Sequence, residues 1–176
     1  AYSKGFYATA LGADSIANGP ESMAIGGGVA TGSGALAIGR YSTANEDTVA
    51  IGLKAGQYST GKENAYLGFQ AGAGDVGKQT GNQNTAIGWN SFYNGSGKNN
   101  AYLGAFSGNN AVGNDNVAMG HYAGGFLGGN DNVSVGSGAG YGLTGSNNIA
   151  IGDGAGAGLS GANNISIGYL AGPTTG

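Results

Sequence analysis

The sequence repeats one short phrase eleven times: an aliphatic residue followed by a glycine, called here the phrase glycine. Its successive spacings are 14, 13, 13, 16 and 20 residues, and then 16 residues five times. A short unit that recurs at a nearly constant period is typical of a solenoid, in which each coil packs only on its neighbours. The phrase glycines are Gly12, Gly26, Gly39, Gly52, Gly68, Gly88, Gly104, Gly120, Gly136, Gly152 and Gly168.

A second column, the corner column, stands seven residues before each phrase glycine. It holds Gly5, Gly19, Gly32, Asn45, Gly61, Gly81, Gly97, Gly113, Gly129, Gly145 and Gly161. Glycine adopts positive φ freely, and Asn is a common substitute there. We therefore expect positive φ at one corner of every coil. The block from corner to phrase glycine never changes length, so insertions, the longest at 69–80, fall on the other side of the coil.

Within the phrase, apolar residues alternate as in an extended strand. Val49 and Ile51 are expected on one face, and Thr48, Ala50 and Gly52 on the other. From the fifth coil onward the Thr48 column becomes Asn, and stacked strands about 4.8 Å apart would let these amides bond to one another. The column contains Asn64, Asn84, Asn100, Asn116, Asn132, Asn148 and Asn164. Helices are disfavoured, because Gly costs about 1 kcal/mol at an interior helix position.

Composition narrows the possible functions. The chain of 176 residues has 41 glycines, no cysteine and only 9% charged residues, so disulfides and thiolate metal sites are excluded. All six basic residues lie in the first 98, and residues 99–176 carry three Asp and no positive charge. A nucleic-acid groove needs a basic stripe, which is missing. The apolar stretches are far shorter than the ~20 residues of a membrane helix. Because the chain has no initial Met and no signal peptide, we interpret it as part of something longer.

Few residues here are suited to chemistry. The segments GQYSTGKE (56–63) and GAGDVGKQ (72–79) approach a P-loop, but Glu63 and Gln79 replace the Ser or Thr that holds magnesium. His121 is the single histidine, and no nucleophile motif accompanies it. A metal held by three copies of His121 on a threefold axis is the less favoured alternative to a plain surface residue. We expect no enzyme activity and no cofactor.

The phrases SMAIGGGV (22–29) and TVAIGLKA (48–55) resemble the YadA-like head repeats of trimeric autotransporter adhesins. Residues 1–52 match these repeats of 13–14 residues, and 53–176 look like a continuous variant with longer, mostly 16-residue coils. The resemblance implies an all-β, left-handed parallel β-roll, or solenoid, of about eleven coils. It also implies a homotrimer outside a Gram-negative cell, anchored to the outer membrane through stalk and barrel segments that this sequence lacks.

Heads of this family bind host extracellular-matrix proteins or receptors, other bacteria, or abiotic surfaces, and the resemblance implies such partners here. A narrow apolar stripe also offsets little of the entropy cost of ordering each coil, which independently favours an obligate oligomer. Two alternatives stay open. A phage tail-fibre segment would share the fold, and an ice-binding solenoid would need a flat Thr array where this chain has Asn.

One band around the longest insertion departs from the repeat. It consists of Tyr58, Lys62, Lys78, Trp89, Phe92, Tyr93 and Lys98. Its aromatic residues either pack at the trimer interface or shield a bulge; alternatively the band is a ligand epitope, since Trp and Tyr beside cations are common binding anchors. On the second interpretation, shortening 69–80 by four residues leaves the trimer intact and reduces adhesion.

Overall fold

The structure, a computed structural model, describes residues 1–76 and 81–172. These residues form fifteen short strands and no helix, and accordingly no helix in the described part is long and apolar enough to cross a membrane. The strands are β1 (Tyr2–Ser3), β2 (Thr9–Leu11), β3 (Ile16–Ala17), β4 (Met23–Ile25), β5 (Val29–Ala30), β6 (Leu36–Ile38), β7 (Thr43–Ala44), β8 (Val49–Ile51), β9 (Ala65–Leu67), β10 (Thr85–Ile87), β11 (Ala101–Leu103), β12 (Val117–Met119), β13 (Val133–Val135), β14 (Ile149–Ile151) and β15 (Ile165–Ile167).

The strands build two parallel sheets on a solenoid. The eleven strands of the phrases form one sheet in the order β2, β4, β6, β8 and then β9 through β15, so about ten turns separate its ends. A four-stranded sheet of β1, β3, β5 and β7 forms the second side of the early coils. In later coils that side is reduced to isolated bridges, such as Ser96 with Val112. The prediction of an all-β parallel solenoid is confirmed.

The strand register follows the repeat without a slip. β8 pairs with β9 so that Val49 opposes Ala65 and Ala50 opposes Tyr66. Between β9 and β10 the chain carries its longest insertion, yet Ala65 still opposes Thr85. The insertion therefore leaves the strand pairing unchanged, as predicted from the constant length of the block between corner and phrase glycine.

Consecutive β-turns form the variable side of the longer coils. The amide of Ala55 donates to the carbonyl of Gly52 (3.2 Å), and that of Gln57 donates to Lys54 (3.1 Å). Between them, the amide of Gly56 points to the next coil and donates to the carbonyl of Ala71 (2.8 Å). Backbone amides thus alternate between two kinds of hydrogen bond: one closes a turn within the coil, and the other joins the coil to its neighbour.

The interior of the coil is narrow and is filled by residues of complementary size. The middle residue of each phrase strand points inward, and most coils have Ala there, as in the buried Ala118 and Ala150. Leu127 and Leu143 fill the space from the turn side in these later coils. Where the strand instead contributes the buried Tyr102, the Leu column holds Ala111 or Gly95. A small residue in the Leu column therefore accompanies the large inward ring of Tyr102.

The predicted Asn ladder is confirmed. Both the backbone amide and the side-chain amide of Asn132 donate to Oδ1 of Asn116, each at 3.0 Å. The same side chain donates to the carbonyl of Gly145, a corner glycine of the next coil (2.9 Å). This arrangement repeats from Asn100 to Asn148, and it satisfies the buried amides while joining each strand to the corners beside it.

The prediction for the corner column is only partly right. Five later corners, Gly97, Gly113, Gly129, Gly145 and Gly161, have φ between 110° and 137°. The prediction is wrong for the other six corners, which do not have positive φ: Gly5, Gly19, Gly32, Asn45, Gly61 and Gly81. The close approach of neighbouring coils explains the corner glycines better. A methyl group at Gly5 or Gly113 would overlap with the carbonyl oxygen of the corner residue in the next coil.

The left-handed residue that every coil needs stands two places after the corner. It is Tyr7, Glu21, Gly34, Asp47, Glu63, Gln83, Asn99, Asp115, Asp131, Asn147 and Asn163, with φ between 50° and 63°. Six of these eleven are Asn or Asp, the non-glycine residues that tolerate this conformation best. The turn is therefore made by a residue whose side chain stays outside the coil, while the corner glycine admits the neighbouring backbone.

Candidate interaction surfaces

The outer face of the eleven-stranded sheet carries the aliphatic residues of the phrases. Val117 and Met119 are 39% and 47% exposed, while Ala118 between them is buried. This aliphatic face also includes Leu11, Met23, Val49, Leu67, Ile87, Leu103, Ile151, Ile165 and Ile167, all exposed in the single chain. The alternation predicted for Val49 and Ile51 is confirmed, with the small residues inside. Contiguous apolar surface of this kind generally marks an interaction site.

A second surface is a row of aromatic rings that runs along the solenoid beside the turns. The ring centroids of Phe69 and Trp89 lie 6.3 Å apart, those of Trp89 and Phe106 lie 5.2 Å apart, and Phe106 stacks on Tyr122 at 4.7 Å. Tyr122 then contacts Tyr141 (6.1 Å), which in turn contacts Phe126 (5.5 Å). We call these six residues the aromatic ridge. His121 is exposed at its flank, 4.5 Å from the ring of Tyr122.

The structure divides the aromatic residues of the predicted band between surface and core. Trp89 is 55% exposed and belongs to the aromatic ridge. Phe92 is fully buried and stacks on Tyr102 with centroids 5.0 Å apart, so its ring is not on the surface. Tyr93 is half-buried and donates a hydrogen bond to Oδ1 of Asp75 (3.0 Å). Burial and this carboxylate raise the pKa of Tyr93.

The lysines and the remaining tyrosine of the band lie in separate surroundings. Lys62 forms an ion pair with Glu46 of the preceding coil, and this carboxylate raises the pKa of the lysine. Lys98 is exposed, and its backbone amide donates to Oδ1 of Asn114 (2.9 Å). Tyr58 is exposed in the β-turns of the fifth coil. Lys78 lies outside the described residues.

Sequence reasoning found Trp89 but missed the other five rings of the ridge. Phe69 occupies the same column as Trp89, directly after the phrase glycine, and Phe106 and Tyr122 occupy the next column. Reading those two columns down the alignment would have exposed the row. Tyr141 and Phe126 come from later turn positions, and only the coiling of the chain brings them beside Tyr122.

The chemistry available at these surfaces is limited. No group of three or more His, Cys, Asp or Glu side chains that could hold a metal ion occurs within residues 1–76 and 81–172. No family model, no curated protein and no solved structure matches the chain. The aliphatic face and the aromatic ridge are therefore the two candidate interaction surfaces of the described residues.

Proposed function

We propose that this chain is the head region of a trimeric bacterial surface adhesin, a left-handed β-roll that attaches a cell to host matrix or receptors, to other cells or to inert surfaces. The observation that carries the proposal is the aliphatic face. A solenoid whose larger aliphatic side chains lie outside its own coil leaves much of its apolar area for another chain to cover.

The period of the aliphatic face suits contact between identical chains. The sheet stacks in constant register, so every coil presents its aliphatic residues at the same height on each copy. Three chains placed side by side in parallel would bury these rows against one another, and symmetry would repeat each contact. The number three comes from the resemblance of 22–29 and 48–55 to trimeric heads.

The turn side of the coils is the part of the fold that is free to carry binding residues for attachment. The strand side of each coil is committed to register and to the Asn ladder, whereas the turn side accepts different lengths and different exposed residues. Loops placed by a rigid scaffold commonly carry binding residues. Three copies of a weak site on one head would add avidity without a deep pocket.

Beads coated with the purified protein test the proposal. They are applied to immobilised collagen, fibronectin and laminin, to whole cells and to plain polystyrene, with albumin-coated beads as the control. The proposal predicts retention above albumin on at least one of these surfaces. Retention no better than albumin on all of them would contradict the adhesive function, whatever the oligomeric state.

The aliphatic face is tested by a charged pair of substitutions. Val117→Asp with Met119→Asp is expected to dissociate the oligomer, because six buried carboxylates at the centre of a trimer would be costly to desolvate. Ala157→Asp, at an exposed turn position outside the face, is the matched control and is expected to leave the oligomer intact. Sedimentation velocity separates the two results.

A further inference from the structure

The aromatic ridge is a continuous platform rather than a set of scattered rings. Its six members come from five successive coils, and each lies within 6.3 Å of the next. With coils about 4.8 Å apart, the platform extends roughly 20 Å along the solenoid axis. A ligand lying parallel to the axis therefore meets an aromatic ring at every coil.

The ridge is accessible in the chain and is held in place by its surroundings. Phe69, Trp89 and Phe126 are 40%, 55% and 51% exposed. Each ring also packs on the next one, and Tyr141, which is 41% exposed, packs on both Tyr122 and Phe126. Such rings offer large contact area at low entropic cost, because an aromatic side chain has only two rotatable bonds to fix when a ligand binds.

Charge and polarity at the ridge restrict its ligand. None of the six residues is charged, and no Lys or Arg occurs in 99–176, so the part of the ridge formed by Phe106, Tyr122, Phe126 and Tyr141 has no basic residue in its own coils to attract an anionic polymer. Neutral amides lie beside the rings instead. Asn90 follows Trp89 directly, and its buried Oδ1 accepts no hydrogen bond from the described residues. In the coil of Phe106, the side-chain amide of Asn110 donates to Oδ1 of Asn109.

We propose that the aromatic ridge binds a neutral polysaccharide whose chain runs along the solenoid axis. Sugar rings present an apolar C–H face for stacking and hydroxyl edges for amides, and a polysaccharide repeats both along one direction, as the ridge does. This inference goes beyond the proposed function by assigning a ligand class to one surface of the chain. It would stand even if the head does not attach to matrix proteins or plastic.

Trp89 is the single tryptophan, so its fluorescence reports on the ridge directly. The unmodified protein is titrated with dextran, xylan, laminarin, galactomannan and hydroxyethylcellulose while acrylamide quenching is followed, and native gels containing each polymer are run in parallel. We expect at least one polymer to protect Trp89 from acrylamide and to retard the protein. Absence of both effects for all five polymers overturns the proposal.

Substitutions then assign the binding to the ridge. Trp89→Ala and Phe106→Ala are each expected to weaken retardation by about tenfold or more, and Trp89→Phe is expected to retain most of it. Tyr169→Ala is the matched control, since Tyr169 is exposed in the same column as Trp89 but lies beyond Ser137 and Asp153. Equal retardation of Trp89→Ala and the parent overturns the proposal.

Measuring the oligomeric state shows whether the aromatic ridge binds a polysaccharide or contacts a second copy of the chain. Sedimentation velocity of Trp89→Ala and Phe106→Ala is expected to match that of the parent. Dissociation of the oligomer by either variant would overturn the proposal, because it would place the ridge against a second copy. Bead retention on matrix proteins is scored separately, so that a failure of the adhesin proposal is not mistaken for a failure of this one.

Discussion

The side-chain amide of Asn116 donates to Oδ1 of Asn100, one coil earlier, at 3.1 Å, and also to the carbonyl of Gly129, one coil later, at 2.9 Å. Its own Oδ1 accepts the backbone and side-chain amides of Asn132. One buried residue thus joins three successive coils, and both ends of its amide are satisfied within the chain.

Asn116→Ala is therefore expected to destabilise the protein strongly. It removes two donated and two accepted hydrogen bonds and leaves buried partners unsatisfied, each at a cost of about 1–3 kcal/mol. Asn164→Ala is the matched control, because Asn164 is only half-buried and is the last Asn of the ladder. Urea unfolding should show a loss several times larger for Asn116. Equal losses would contradict the account of the ladder.

Gly113→Ala tests the reason for glycine in the corner column. A methyl group there would overlap with the carbonyl oxygen of Gly129, so stacked coils would have to separate. Gly142→Ala is the control, because Gly142 has φ of 66° but nothing within 4 Å of the added methyl group. The control is expected to cost about 1–2 kcal/mol, the usual cost of a left-handed non-glycine residue. Thermal unfolding should show Gly113→Ala to be far worse.

The buried Tyr102 predicts a loss of stability at alkaline pH. Burial raises the pKa of Tyr102 above its ordinary 10.0, and the neighbouring amide of Asn116 lowers it by less. Below about pH 10 Tyr102 is neutral in both the folded and the unfolded chain, so it adds no pH dependence to the free energy of unfolding. Above about pH 10 it ionises in the unfolded chain while it stays neutral in the folded one, and the folded state therefore loses stability. In urea unfolding between about pH 8 and 11, Tyr102→Phe should lose less stability with rising pH than the parent does. An identical pH dependence would contradict the prediction.

Much of the fold was predictable from the sequence because a repeat constrains every coil at once. The aliphatic residue before each phrase glycine predicted the position of the strand and its register, and the recurring Asn predicted the ladder. Both depend on position along one strand, which an alignment shows directly. The burial of the small face also follows, since small and aliphatic residues alternate along each strand and only one of the two faces can line the interior.

The corner column and the candidate site were harder because they depend on relations between coils. Glycine at position 5 could be required by a positive φ or by a closely packed neighbour, and only the position of the backbone in the next coil decides between them. Phe92 and Trp89 look alike in the sequence, but one ring enters the core against Tyr102 and the other stays outside. The Asn or Asp found before many ladder residues, as in Asp115 before Asn116, was the available signal for the left-handed turn residue.

The central claim, that the aliphatic face joins three copies of this chain, is tested most directly by sedimentation equilibrium of the purified protein at micromolar concentration, combined with circular dichroism during urea unfolding. We predict a species of three chains of 16.9 kDa each, with dissociation and loss of strand signal in a single transition. A folded monomer at that concentration would contradict the claim.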